Sequence, residues 1–267
     1  PGRARPALEA AEGGPGPAMR EVVCADALEW LPRPGSLPDG SLVLTSLPDA
    51  CEVQEVAPTI EAWAAWFQGA VRAVLRALPT GGAAVFYQTD VRLPEEGRQV
   101  SKSYLVLRAA SEVQGVSLRW HKVVHFGNVD KPSVSGLQYT HLLCLVRNDG
   151  PLAAVWPDGR ADFGSSIPDV VARGRKPPQL RNNARCMGVN ATLLVLKWAM
   201  RRIAGLRLVV DPFCGAGTTL AVANFLGLRA LGVDLSPRRV KQAAALDVSE
   251  LLTRERRATD GPEDGAQ

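Results

Sequence analysis

Leu208-Val209-Val210-Asp211-Pro212-Phe213-Cys214-Gly215-Ala216-Gly217-Thr218-Thr219 is the stretch on which the fold turns. An apolar run of strand character, Leu206 to Asp211, passes into glycines and then directly into a helical pattern, Thr218 to Leu226. That order places a tight turn at the carboxyl edge of a sheet. Glycine suits such a turn because a β-carbon keeps the backbone from approaching a ligand, and the following helix offers its first amides to an anionic group. The next strand, Ala230 to Asp234, ends in Gly232-Val233-Asp234. A carboxylate about twenty residues beyond the first strand end can accept both ribose hydroxyls, so the two strand ends suit one nucleoside cofactor. A lone Gly-x-Gly after a strand is more often a plain tight turn. Here the paired threonines and Asp234 reverse that balance.

Outward from this stretch, short Val- and Leu-rich runs alternate with helical patterns from Arg20 onward, the signature of a parallel sheet flanked by helices. Further strands are predicted at Glu21 to Ala25, Ser41 to Ser46, Ala83 to Gln88, Leu118 to His125 and Thr140 to Val146. Helices are predicted at Asp26 to Leu31, Thr59 to Leu78, Ser101 to Val113, Asn190 to Ala204 with Asn190 as cap, and Pro237 to Leu252. In the longest, Trp63, Trp66, Phe67, Val71 and Val74 share one broad face and read as core rather than as a stacking surface. A polar loop is expected up to Gln99.

One domain over residues 20–258 accounts for these elements, between a flexible Pro-, Gly- and Ala-rich arm (1–19) and a polar tail (259–267). An upstream targeting segment stays open, since the chain does not begin with Met. Within the domain, residues 148–188 lack a period and concentrate Arg173, Arg175, Lys176, Arg181 and Arg185. This irregular basic insertion is either a grip on the phosphates of a nucleic acid or a solvated loop.

A net charge of +4 and a pI near 9.0 accord with a polyanionic partner without requiring one. The five cysteines are scattered and odd in number, which argues against a disulfide framework or a zinc site and for a reduced, intracellular, metal-free protein. His121, His125 and His141 lack metal-ligand spacing and read as structural. Charges, Gly or Pro interrupt every hydrophobic run before it could span a bilayer, so no membrane association is expected.

The nine residues from Asp211 to Thr219 closely resemble the cofactor motif of the amino-methyltransferases of nucleic acids, the N4-cytosine and N6-adenine class, in its circularly permuted arrangement. The resemblance runs from Glu21 to Leu252. Cys24 to Leu31 and Leu37 to Ser46 look like the family's opening run into its catalytic loop, Leu78 to Gly82 like its Pro-Gly-Gly connection, and Tyr139 to Arg147 like its late antiparallel strand. It implies a Rossmann-like α/β fold with a seven-stranded, mostly parallel sheet, and S-adenosylmethionine as cofactor. Asp211, Pro212, Phe213, Gly215, Gly217, Thr218, Thr219 and Asp234 would hold that cofactor, with Asp26 near its adenine end.

The catalytic loop departs from the family pattern, which is Asp, Asn or Ser, then Pro-Pro, then an aromatic residue that stacks on the extruded base. Here it reads Ser46-Leu47-Pro48-Asp49. Ser46 and the Leu47 carbonyl can still orient an acceptor nitrogen. Asp49 either handles a proton or a cationic substrate, or caps the following turn. The expected activity is methyl transfer to a base nitrogen of nucleic acid. A structured RNA, read by shape, is favoured over DNA because no separate target-recognition domain is evident, and a protein partner supplying target recognition stays open. The alternative is a non-catalytic subunit of the same fold that binds RNA or partners an active enzyme; a small-molecule or protein methyltransferase is a third reading.

Overall fold

A computed structural model describes residues 20–126, 131, 136–148, 164, 166–180, 187–203 and 205–253. The arm and most of the tail therefore lie outside the described residues, as do Arg181 and Arg185. Ten strands and six helices are named here in chain order: β1 (Arg20–Cys24), α1 (Ala27–Trp30), β2 (Ser41–Thr45), α2 (Ile60–Ala77), β3 (Ala83–Gln88), β4 (Val91–Leu93), β5 (Arg98–Val100), α3 (Lys102–Ser111), β6 (Val116–His125), β7 (Tyr139–Arg147), β8 (Val170–Ala172), α4 (Val189–Arg202), β9 (Leu208–Asp211), α5 (Thr218–Phe225), β10 (Arg229–Asp234) and α6 (Pro237–Ala245).

The main sheet has the order β1-β10-β9-β2-β3-β7-β6-β8. Its first five strands run parallel, and β7 is antiparallel to both of its neighbours. Two strands from the end of the chain thus insert between two from its beginning, as a permuted order requires. Asp211 and Asp234 end adjacent strands, and β2 lies directly beside β9 through Leu42↔Val209 and Val43↔Val210. The turns that follow β1, β10, β9, β2 and β3 consequently open on one edge of the sheet.

Because the central strands are covered on both faces, they read as continuous apolar runs instead of alternating ones. Leu42, Leu44 and Val85 pack with Trp198, Leu196 and Leu220 on one side; Val43, Ala84 and Phe86 pack with Trp63, Phe67 and Val71 on the other. Helix α2 begins where the Thr59 hydroxyl accepts the Ala62 amide and stops at Leu78, whose extended backbone leads into Pro79. It buries Trp63, Phe67, Ala70, Val71, Val74 and Leu75, and truncating a fully buried ring such as Phe67 to Ala costs about 3–5 kcal/mol.

Four expectations are adjusted. The seven predicted strands are all present, but Val170–Ala172 adds an eighth, pairing parallel to β6 within the insertion that showed no period. Three residues are too few to carry one. The polar stretch before Gln99 forms a small hairpin, β4 with β5. Asn190 does not cap α4: Gly188 does, with no side-chain bond, while the Asn190 side-chain amide donates to the Ala172 carbonyl at 2.7 Å and ties the helix to β8. The last predicted helix is interrupted after Ala245, where Leu246 turns extended, and residues 249–253 are helical again. The Arg20 guanidinium donates to the Ala243 and Leu246 carbonyls at 2.8 and 2.7 Å and satisfies that end.

Candidate active site

At the carboxyl edge a cleft of about 800 Å³ gathers the strand ends. It is lined by Asp26, Ser46, Leu47, Pro48, Asp49, Asp211, Pro212, Phe213, Gly215, Thr218, Thr219 and Asp234, so the structure brings the predicted catalytic and cofactor residues into one space. Gly217 is the exception. Its φ of +85° favours glycine, and a β-carbon there would stand 2.7 Å from Ala243, so it serves the packing of α5 against α6 and not the cleft. Gly215, at φ +53°, has no atom within 4 Å of where a β-carbon would be: the space above the turn is open.

The turn is built around two carboxylates. Asp211 accepts the Thr45 hydroxyl at 2.6 Å and the Phe213 amide at 3.2 Å, which pins the cofactor turn to the end of β2. Burial pushes its pKa up to about 6, and hydrogen bonds from Thr45 and Thr219 oppose the rise. Asp234 accepts the Gly215 amide at 3.0 Å and the Ser236 amide at 2.8 Å. Its pKa is also raised, first by burial. Burial drives the Cys214 thiol upward, which leaves it a poor nucleophile. Asp26 caps α1, accepting the Leu28 amide at 2.8 Å, with its carboxylate at the cleft wall. Thr219 is 1% exposed and leans on the Met187 sulfur, so it belongs to the framework of the turn.

The Ser46-Leu47-Pro48-Asp49 loop is anchored both in the core and along the cleft wall. Leu47 is 2% exposed and packs into the core. The Trp63 indole donates to the Pro48 carbonyl at 3.2 Å, and Glu52 accepts the Asp49 amide at 3.0 Å. Asp49 stands at the N-terminus of the short 3-10 turn Ala50–Glu52, in a capping box with Glu52, and its carboxylate is also engaged by Lys102. Trp63 is core, as its spacing implied, whereas Trp66 lines the cleft and meets the edge of Phe213 at 6.3 Å.

Sequence reasoning missed Lys102 and Asp90, both at the cleft. Asp90 accepts the Lys102 amide at 2.8 Å and stands 3.5 Å from His141, which shares a 3.0 Å hydrogen bond with His121. Burial raises the Asp90 pKa, but the His141, Lys102 and Gln99 contacts outweigh it and leave the carboxyl below its ordinary range. No motif marks these residues, since Asp90, Lys102, His141 and His121 converge from four separate segments. The basic stretch lies elsewhere. Arg173, Arg175 and Lys176 line a second cavity of about 430 Å³ together with Asp247 and Glu250, and the Arg173 guanidinium also covers the Phe126 ring at 4.5 Å.

Fold and cleft define a Rossmann-like α/β protein with a crevice at the carboxyl edge of its sheet. Within that class, residues 207–245 match the DNA methylase family of N6 and N4 methyltransferases. A Thermus thermophilus protein assigned to the DNA modification methylases, solved in complex with S-adenosyl-L-methionine, is 22% identical, with a TM-score of 0.60 over 93% of this chain and 99% of that one. The PvuII cytosine-N4-specific DNA methyltransferase is 18% identical, with a TM-score of 0.62 over 89% and 93%. Comparison with curated proteins returns no match. The resemblance read from the sequence is borne out: residues 207–245 match that family, and the fold is that of these methyltransferase structures.

Proposed function

We propose that this protein is an S-adenosylmethionine-dependent methyltransferase acting on a base nitrogen of nucleic acid. The observation that carries this reading is the convergence of the Gly215 turn, Asp234 and the Ser46–Asp49 loop on one cleft. The residues fit the cofactor: the turn is open above Gly215, the N-terminus of α5 follows it, and the Asp234 carboxylate stands beside it. Asp234 would take the ribose hydroxyls, Asp26 would face the adenine end, and the first amides of α5 would take the methionine carboxylate. When bound, the cofactor supplies a methyl group on a sulfonium.

The chain's own residues then hold the acceptor. Ser46 and the Leu47 carbonyl orient the nitrogen, and positioning of this kind supplies much of the rate. Asp49 accepts hydrogen bonds from the base, and the anchored loop keeps these groups in place. The proteins with this fold described above are a DNA methyltransferase and a protein assigned to the DNA modification methylases, so the leaning towards RNA finds no support in them, and DNA is the first substrate to test. Arg173, Arg175 and Lys176 offer cationic contacts for phosphates, tempered by Asp247 and Glu250 in the same cavity. The retained Gly215 turn and Asp234, in a formed cleft, favour an active enzyme over a non-catalytic subunit. The test is mass spectrometry of nucleosides from DNA and from RNA after incubation with the protein and methyl-labelled cofactor. A labelled N-methyl nucleoside is expected; its absence from both would overturn the enzymatic reading.

A further inference from the structure

The loop aspartate has a partner that the fold holds firmly in place. Lys102 is the first residue of α3, fixed by its amide on the Asp90 carboxylate and by the Ser101 cap. Its side chain runs into the core, where the residue is only 2% exposed. The ammonium lies 5.6 and 5.7 Å from the ring centres of Trp63 and Phe67 and ends on the Asp49 carboxylate. A buried ammonium strongly disfavours losing its counter-ion. Asp49 is therefore held in one orientation, with 28% of its side chain exposed and its place on the cleft wall kept.

We propose that Lys102 is a positioning residue that makes Asp49 the reader of the base edge. The flipped base is then gripped at this loop by hydrogen bonding from its N–H donors and not by stacking. The inference rests on the methyltransferase reading above. An aromatic platform accepts every base, because each has a π-face. A carboxylate is acceptor-only and gains from an N–H, whereas a base lacking that hydrogen desolvates the carboxylate without replacing the hydrogen bonds of water. A site of this kind discriminates by the presence of a hydrogen, which stacking does not.

The experiment uses the protein loaded with S-adenosylhomocysteine. Cytidine, adenosine, uridine and guanosine are titrated by saturation-transfer NMR, each beside a counterpart whose edge N–H groups are fully methylated. At least one parent nucleoside should bind, with its methylated counterpart weaker by about tenfold or more. Lys102→Met and Asp49→Asn should each weaken that parent about tenfold and erase the discrimination, with affinity for S-adenosylhomocysteine unchanged, and Lys102→Arg should restore part of it. Should Lys102→Met fail to fold, Asp49→Asn carries the same test. Equal binding of parent and methylated forms by the wild type, no nucleoside binding at all, or discrimination that survives in the variants would overturn the proposal. Discrimination without any methylated product would overturn only the enzymatic reading, and product without discrimination only this one.

Discussion

Replacing Asp211 by Asn should stabilise the protein above about pH 6 while changing it little near pH 4. Asp211 is 3% exposed, and burial raises its pKa from an ordinary 3.8 to about 6. The folded state therefore holds this proton more tightly than the unfolded chain. Stability falls with rising pH wherever the folded state binds more protons. The favourable contribution of protonated Asp211 is thus complete below about pH 4 and is lost as the pH climbs through about 6. Two units at 1.36 kcal/mol each make this loss about 3 kcal/mol. Asn keeps an oxygen for the Thr45 hydroxyl and the Phe213 amide but carries no charge to desolvate. Its altered contact with Thr219 returns about 1 kcal/mol of that, leaving a net gain of about 2 kcal/mol at neutral pH. Urea unfolding of both proteins at several pH values between about 4 and 8 measures the difference directly. A difference between wild type and variant that stays flat with pH would refute the assignment of Asp211 as a desolvated carboxylate.

Asp234→Ala should weaken S-adenosylhomocysteine binding by about 1–3 kcal/mol through lost charge-assisted hydrogen bonds, and calorimetry showing wild-type affinity would remove this residue from the site. Asp49→Asn should lower turnover far more than cofactor affinity once a substrate is in hand, since an interaction made with the reacting base shows in the rate; equal turnover would return Asp49 to a structural role. Neutralising Arg173, Arg175 and Lys176 together should reduce DNA affinity and flatten its salt dependence, whereas an unaltered slope measured by fluorescence anisotropy would leave the stretch as a solvated surface.

The architecture was legible because it rests on local patterns. An apolar strand running into glycines and a helix can be recognised within twelve residues, Leu208 to Thr219, and the family resemblance they carry implied the permuted sheet. Local chemistry pointed to Asp234 and the family resemblance to the Ser46 loop, and both line the cleft. What the sequence left open had no local signal. β8 is three residues long and exists only because β6 offers it an edge. Gly217 looked like a cofactor glycine, but its constraint comes from Ala243, twenty-six positions away in sequence and touching only in the fold. The choice between a proton-handling and a turn-capping Asp49 could not be made from its neighbours in the chain. The fold adds to the capping box a contact that neither alternative contained, the pairing with Lys102, and it depends on α3 packing against α2 so that Trp63 and Phe67 enclose the ammonium. Periodicity and motif report which backbone segments pair and which face is apolar, since both depend on residues close in sequence. Burial, and with it the ionisation of Asp211 and the company kept by Lys102, depends on everything packed around a group, and that only the tertiary structure decides.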